Sequence, residues 1–327
     1  MGKYPIKPVI PYDLNEKNAR ALKIRNRAWK ANTEIPSWVD MDSVGLDQFF
    51  TCPVIARQCW KKLYDFMRAE GVEPSSYTFI EPSAGLGAFY DLLPPHQRIG
   101  IDVVPFRSEY IQSEFLSWMP QKKGYHHICV GNPPFGARAW LALLFLNHAA
   151  QFCDYVGFIL PMGFQNSGQG NLADRVQGLN LVHSSVLPPG SFIRADGTRS
   201  KINTLWQIWS RKTSIPKEPL RTCDQYIDLF SINRQPGKRC GQKRLKEAHC
   251  FLQRTFFTRV PKLVLRLDHI KHQGCLGIVI KRDKAKVLNV LRNTDWMQYS
   301  NLALNHSRHI GITHVRKALT DQGLFDD

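Results

Sequence analysis

Residues 128–135 read Ile-Cys-Val-Gly-Asn-Pro-Pro-Phe, and the stretch changes character halfway. An apolar run ends at Gly131, and an amide, two prolines and an aromatic follow at once as Asn132, Pro133, Pro134 and Phe135. Such a run, stopped by turn chemistry, reads as a buried strand that ends abruptly. In an open α/β sheet the carboxyl ends of the strands are where ligands bind. The prolines fix two φ angles and remove two N–H donors, so the turn is rigid and rich in acceptors. The Asn132 amide oxygen and the Pro133 carbonyl can accept both hydrogens of one exocyclic amine, which draws a planar, conjugated nitrogen towards tetrahedral geometry and frees its lone pair. Phe135 can stack on the ring that carries the amine and favour the positive charge that develops as the nitrogen is alkylated. The alkylated ammonium then loses its proton to water without a general base. An ordinary Asn-Pro turn after a core strand would look the same in isolation, so the neighbouring segments decide.

Upstream, GLDQFFTCP (45–53) leads into a helix over Val54–Glu70, which starts just after Pro53 and stops before Gly71. YTFIEPSAGLGAFYDLL (77–93) reads as a strand, Tyr77–Ile80, followed by a glycine-rich turn that opens a second helix. Gly85 and Gly87 allow a ligand to touch the main chain, and Glu81 can hold an ammonium group. A diphosphate-binding loop usually has a third glycine; here it is missing and an acid leads the turn, which suits a zwitterionic methionine tail better. Asp102 ends the next strand, Arg98–Asp102, where a carboxylate can accept two ribose hydroxyls. Glu114 and Phe115 follow in Gln112-Ser113-Glu114-Phe115-Leu116. Beyond the Asn-Pro-Pro-Phe turn, 137–152 is an apolar helix, Tyr155–Leu160 a buried strand, 163–171 a loop, 188–200 a second loop and Ile202–Trp209 a β-patterned run. Strand and helix thus alternate from Tyr77 to Arg211, the pattern of a doubly wound sheet.

The turn Asn132–Phe135 resembles the catalytic motif of amino-methyltransferases that act on adenine N6 with S-adenosylmethionine. Glu81-Pro82-Ser83-Ala84-Gly85-Leu86-Gly87-Ala88-Phe89 closely resembles their first motif. Asp47–Pro53 resembles the segment that precedes it, with Cys52 inserted between Thr51 and Pro53. Over residues 45–212 the order of segments resembles the γ-class, TaqI-like DNA adenine-N6 methyltransferases. The resemblance implies a Rossmann-like methyltransferase fold and a set of roles. Phe50 and Thr51 would lie against the methionine end of the cofactor, with Glu81, Pro82, Ser83, Ala84, Gly85 and Gly87 forming its loop. Asp102 would take the ribose, Glu114 the adenine amine in place of the usual, shorter Asp, and Phe115 would pack on the adenine ring. Asn132, Pro133, Pro134 and Phe135 would be catalytic, with Asn132 also bordering the cofactor. Phe192 would stack on a flipped target base while Arg194, Arg199 and Lys201 meet phosphates. The implied activity is site-specific methylation of adenine N6 in double-stranded DNA. Alternatives are RNA adenosine-N6 methylation, protein glutamine methylation, or an inactive nucleic-acid-binding subunit.

The charge pattern bears on that choice. The 327 residues carry a net charge of +17, distributed as +4 over 1–40, zero over 41–210 and +13 over 211–327. A neutral centre with basic flanks suits a catalytic core with polyanion-binding extensions, since clustered Lys and Arg gain from counterion release on a phosphate backbone. The expected organisation is a basic arm (1–44) with a helix over Asn15–Lys30, a methyltransferase domain (45–212), and a mixed α+β basic recognition region (213–327). Within the last, Lys238, Arg239, Lys243 and Arg244 form a basic loop; short strands are expected at Cys250–Thr258, Leu263–His269 and Leu276–Lys281, and helices at Asp283–Arg292 and His314–Gln322. Eight cysteines without a C-x-x-C pair read as reduced, mostly buried thiols. His249, Cys250, His269, His272 and Cys275 match no common metal spacing, so no metal is expected. With no apolar run of membrane length and no signal-peptide core, the expectation is a cytoplasmic protein of bacterial or phage type, monomeric or weakly dimeric, with a cognate restriction endonuclease as a candidate partner.

Overall fold

The computed structural model describes residues 49–121, 126–136, 139–165, 171–193, 199–214, 221–237, 239–303 and 306–326. The expected basic arm and its helix, Asp47, Gln48, Arg194 and Lys238 lie outside the described residues. The chain divides into two compact units, with the main boundary between Ile215 and Pro216.

In the first unit the elements run β1 (Phe50–Thr51), α1 (Pro53–Ala69), β2 (Thr78–Glu81), β3 (Arg98–Asp102), β4 (Ile111–Gln112), β5 (His127–Gly131), α2 (Trp140–Ala149), β6 (Tyr155–Pro161), β7 (Asn180–Val186), β8 (Phe192–Ile193), β9 (Arg199–Ser200) and β10 (Thr204–Ser210). Seven strands form one sheet in the order β4-β3-β2-β5-β6-β10-β7. β2 to β6 run parallel, and β10 pairs antiparallel with both β6 and β7. The unit is therefore mixed α/β around a large, mostly parallel sheet. β1, β8 and β9 make a separate three-stranded ribbon, with Phe50 opposite Ile193 and Thr51 opposite Phe192.

α1 begins with Pro53 at its first position, where a missing N–H costs nothing, and it is followed by Gly71 at φ 70°. Its apolar stripe, Ile55, Ala56, Cys59, Leu63 and Met67, packs on Phe79, Ile128, Val130, Tyr155, Ile159, Trp206 and Ile208 of the sheet. Alternate residues of β5 and β6 take part, as the two-residue period of a strand requires. Burying a Leu63 or Met67 side chain contributes about 1.5–3 kcal/mol each. α2 is buried along its whole length, as expected of a helix apolar on every side.

The alternation departs from a full doubly wound pattern. After Glu81 the chain makes turns and one short 3-10 turn, Tyr90–Leu92, in place of the expected helix. Gly85 and Gly87 sit at positive φ, and Pro94 and Pro95 end the available chain six residues after Gly87; the residue before a proline is itself pushed out of the helical region. A helix cannot nucleate in so short a span.

The second unit holds β11 (Ile227–Asn233), β12 (Cys250–Gln253), β13 (Thr255–Phe256), β14 (Gly274–Ile280), α3 (Lys284–Asn293), β15 (Asn301–Leu302), β16 (Arg308–His309) and α4 (Ile312–Thr320). Two antiparallel sheets, β11-β14-β12 and β13-β16-β15, share the unit with the helices. β11 was not anticipated, and Leu263–His269 is not a strand: it offers one bridge, Val264 to Phe251, and a 3-10 turn, Leu267–His269. Leu263 packs from this loop against the core cluster that holds Trp296 and Leu319, while Leu265 stays exposed. All eight cysteines are free, and all but Cys240 are buried.

Candidate active site

The carboxyl ends of β2, β3 and β5 deliver Glu81, Asp102 and the Asn132 turn to one edge of the parallel sheet. There they border an open cleft of about 640 Å³ lined by Phe49, Phe50, Pro82, Ser83, Gly85, Asp102, Val103, Val104, Phe106, Glu114, Phe115, Asn132, Pro134 and Phe145. A second depression of about 300 Å³ shares five of these residues and adds Thr51, Glu81, Ala84, Leu86 and Ala88.

Asn132 is oriented by its own amide. Its Nδ2 donates to the Phe49 carbonyl at 2.8 Å, while its Oδ1 is buried without a hydrogen-bond partner among the described residues. The Ser83 hydroxyl donates to the Asn132 carbonyl at 3.0 Å and ties the glycine loop to the turn. Pro133 is buried and Pro134 forms cleft wall. Phe135 is half-buried against the core, and its carbonyl accepts the Leu141 and Ala142 N–H groups at the start of α2.

The acids are held by backbone. Glu81 is buried, and its Oε2 accepts the Tyr90 N–H at 2.6 Å. Burial pushes its carboxyl well above the ordinary value of 4.5; the Tyr90 and Phe89 N–H groups pull it down, and the neighbouring Asp102 and Asp91 push it up. Asp102 accepts the Gly85 N–H at 2.7 Å through one oxygen and the Val104 N–H at 3.0 Å through the other. Glu114 is buried beside the cleft, with the Leu116 N–H 3.5 Å from its Oε1. The Phe115 ring packs edge-on to His148 at 4.9 Å and beside Phe145 at 5.1 Å.

Both loop glycines hold positive φ, but they differ in the room around them. At Gly85 (φ 46°) a Cβ would lie 3.5 Å from the Phe50 ring, across the cleft floor; at Gly87 (φ 88°) it would lie 2.6 Å from Arg107 Nη2 and from the Tyr110 hydroxyl. Gly87 thus makes room for Arg107, whose guanidinium grips Asp91 through both carboxylate oxygens and the Leu86 carbonyl.

Of the residues expected at the site, Phe50, Thr51, Glu81, Pro82, Ser83, Ala84, Gly85, Asp102, Glu114, Phe115, Asn132 and Pro134 come together around these two depressions. Phe192 does not. It is fully buried in the core, edge-on to Phe49 at 6.2 Å, because the β8–β1 pairing turns its ring inwards. It offers no face to a base in this arrangement. Arg199 and Lys201 are exposed on the first unit, and Arg239 and Lys243 on the second. Arg244 is already committed: it pairs with Asp228 at 2.6 Å and Glu247 at 2.7 Å, and lies over the Phe230 ring. Residues that sequence reasoning missed are Phe49, through its main-chain carbonyl, the pair Val103 and Val104 after the strand-end acid, and the aromatic backing Phe106 and Phe145. Position directly after Asp102 was the available signal for Val103 and Val104; none existed for Phe145.

No family model matches the chain, and no curated protein does. Among solved structures, a protein assigned as the modification subunit of a type I restriction enzyme from Vibrio vulnificus YJ016 aligns at 13% identity with a TM-score of 0.38, covering 71% of this chain and 55% of that one. The chain thus spans about half the length of that structure. A protein assigned as an RNA methyltransferase from Pyrococcus horikoshii aligns at 17% identity and TM-score 0.37, over 59% of this chain and 98% of that one. WbdD aligns at 11% identity and TM-score 0.31, over 80% and 75%.

Proposed function

We propose that the chain is an S-adenosylmethionine-dependent methyltransferase acting on adenine N6 in duplex DNA. The observation that carries the reading is Asn132: donation of its Nδ2 to Phe49 leaves Oδ1 as an orphaned, buried acceptor beside a cleft bordered by Asp102 and Glu114 and a depression bordered by Glu81. An orphaned buried acceptor costs about 1–3 kcal/mol, which a substrate donor restores. An exocyclic amine is such a donor.

The residues present fit the cofactor. Glu81, buried and reluctant to ionise, gains from an ammonium group; Asp102 lines the cleft at a strand end, where a carboxylate can meet ribose hydroxyls; Glu114 can accept an adenine amine beside Phe115 and Phe106. When bound, the cofactor supplies an electrophilic methyl group on sulfonium. The chain's part is to hold the amine: Asn132 Oδ1 and the Pro133 carbonyl accept its two hydrogens and localise its lone pair. An amine held in this way would be placed to accept the methyl group from sulfonium and to give up its proton to water. Catalysis on this reading is positioning plus preset acceptors.

The choice of a nucleic acid rests on the basic 211–327 region, and that of DNA over RNA on the resemblance over 45–212. Extrusion of the base costs a few kcal/mol, offset by contacts to phosphates. A cognate restriction endonuclease and a cytoplasmic setting belong to the same proposal; no helix among the described residues is long and apolar enough to cross a membrane. The test is incubation with methyl-labelled cofactor and separated DNA, RNA and protein pools, with digestion of the labelled pool. Label in N6-methyladenine from DNA is the expected result; label confined to RNA or protein overturns it.

A further inference from the structure

The second unit carries a helix whose outward face is basic and amide-rich. α3, Lys-Ala-Lys-Val-Leu-Asn-Val-Leu-Arg-Asn, contains three cations and no acid. Val287 and Leu291 are fully buried on one side, in the core shared with Val315, Ala318 and Leu319 of α4. Lys286, Asn289 and Asn293, at helical spacings of three and four, are exposed along the opposite ridge, with Ala285 and Arg292 exposed beside it. Lys284, Lys286 and Arg292 make no ion pair among the described residues. Asn293 Nδ2 donates to Asn289 Oδ1 at 2.9 Å. That couple leaves the Asn289 amide one NH2 group and the Asn293 amide one oxygen with no protein partner among the described residues, a donor and an acceptor on two linked amides.

We propose that α3 is the element that enters the major groove of B-form DNA, an inference that rests on the DNA reading above and assigns to it a recognition surface. A helix of ten residues is about 15 Å long and about 10–12 Å across with its side chains. The B-DNA major groove is about 12 Å wide and presents paired donors and acceptors on each base edge; the N6 amine and N7 of adenine are the edge that an amide donor and acceptor complement. Lys286 on the ridge, with Lys284 and Arg292 elsewhere on the exposed surface of the helix, supplies the charge that phosphates need, and Ala285 allows close approach. An A-form RNA duplex does not admit a helix, because its major groove is deep and narrow. The geometry therefore commits the surface to DNA.

The test is equilibrium binding of the full chain, without cofactor, to duplex DNA across a salt series, with a duplex RNA of the same sequence alongside. Replacing Lys284, Lys286 and Arg292 together by Gln is expected to reduce the slope of log affinity against log salt by about 2–3, since each neutralised phosphate adds about 0.9 to that slope. Asn289→Ala with Asn293→Ala is expected to keep the slope and reduce the preference between DNA sequences selected from a random pool by about tenfold, within the range for one bidentate pairing with a base. The RNA slope is expected not to respond. All these positions are exposed, and unchanged melting of the variants controls for folding. An unchanged DNA slope in the triple variant, or an equal drop on RNA, overturns the proposal. If DNA is methylated while the triple variant binds as before, this assignment alone fails; if α3 binds DNA and no methylation occurs, the enzymatic reading alone fails.

Discussion

The Asn132 side chain donates its Nδ2 hydrogen to the main-chain carbonyl of Phe49, 2.8 Å away and 83 residues earlier in the chain. The bond decides which end of the amide faces the cleft, and it presents an oxygen. Asn132→Ala is expected to lower methyl transfer by about 10²–10³-fold or more, the range for removing one preset group at a reacting centre, with cofactor affinity retained. Asn132→Asp is expected to be no better, since a carboxylate oxygen would face the Phe49 carbonyl. Single-turnover rates beside cofactor titration separate the effects, and near-normal turnover in Asn132→Ala would sink the assignment.

Glu81 predicts a pH dependence. Its carboxyl in the folded protein sits above the ordinary 4.5, so the folded state holds a proton that the unfolded chain has given up. Its contribution to stability is fully present below the unfolded value and is lost as pH rises through the folded one. At neutral pH, Glu81→Gln therefore melts no lower than the parent. An ammonium group at Glu81 favours the ionised form, so cofactor binding releases a proton and tightens with rising pH until Glu81 is ionised in the free protein. Calorimetry in two buffers of different ionisation heat detects that proton. In Glu81→Gln both the release and most of the affinity are expected to vanish.

The two loop glycines separate strain from occupancy. Gly85→Ala forces φ 46° on an L side chain, costing about 1–2 kcal/mol, but its Cβ would meet the Phe50 ring at an ordinary 3.5 Å. The protein is expected to fold and to bind cofactor poorly. Gly87→Ala adds contacts at 2.6 Å with Arg107 Nη2 and the Tyr110 hydroxyl, so those side-chain ends must shift and the clasp on Asp91 is disturbed. It is expected to lower the melting temperature more than Gly85→Ala does, a ranking that thermal denaturation checks.

The parallel strands were legible because each is a short apolar run closed by an unusual turn, as Ile128–Gly131 is by Asn132-Pro133. Glu81, Asp102 and Asn132 were legible as a group because strand ends of one parallel sheet share an edge, whatever connects them. The connections were not: Gly87 and Pro94 stand too close for a helix, a limit of chain length that apolar periodicity does not report. β11 escaped notice because Ile-Asp-Leu-Phe-Ser-Ile-Asn alternates only partly, with Leu229 and Phe230 both buried. Arg244 looked like a phosphate ligand because its partner Asp228 lies 16 residues earlier, on that strand. Arg244→Ala is accordingly expected to lower the melting temperature slightly and to leave the salt dependence of DNA binding unchanged.

Phe192 separates two roles that the sequence alone could not. An aromatic between Gly190 and Arg199 reads equally as a stacking face for a base or as a plug for a ribbon. The structure has it fully buried, opposite Thr51, with the Cys52 N–H donating to the Ser191 carbonyl at 2.9 Å to extend the same pairing. Phe192→Ala is therefore expected to cost about 3–5 kcal/mol of stability, as for a buried aromatic. The damage should also spread: the paired segment Phe49–Cys52 carries both the carbonyl that orients Asn132 and the Phe50 ring at the cleft. Cofactor affinity in Phe192→Ala should fall even with no nucleic acid present, whereas loss of a stacking face would weaken only the target. Denaturant melts with cofactor titration decide it: full stability with intact cofactor binding would return Phe192 to the target base.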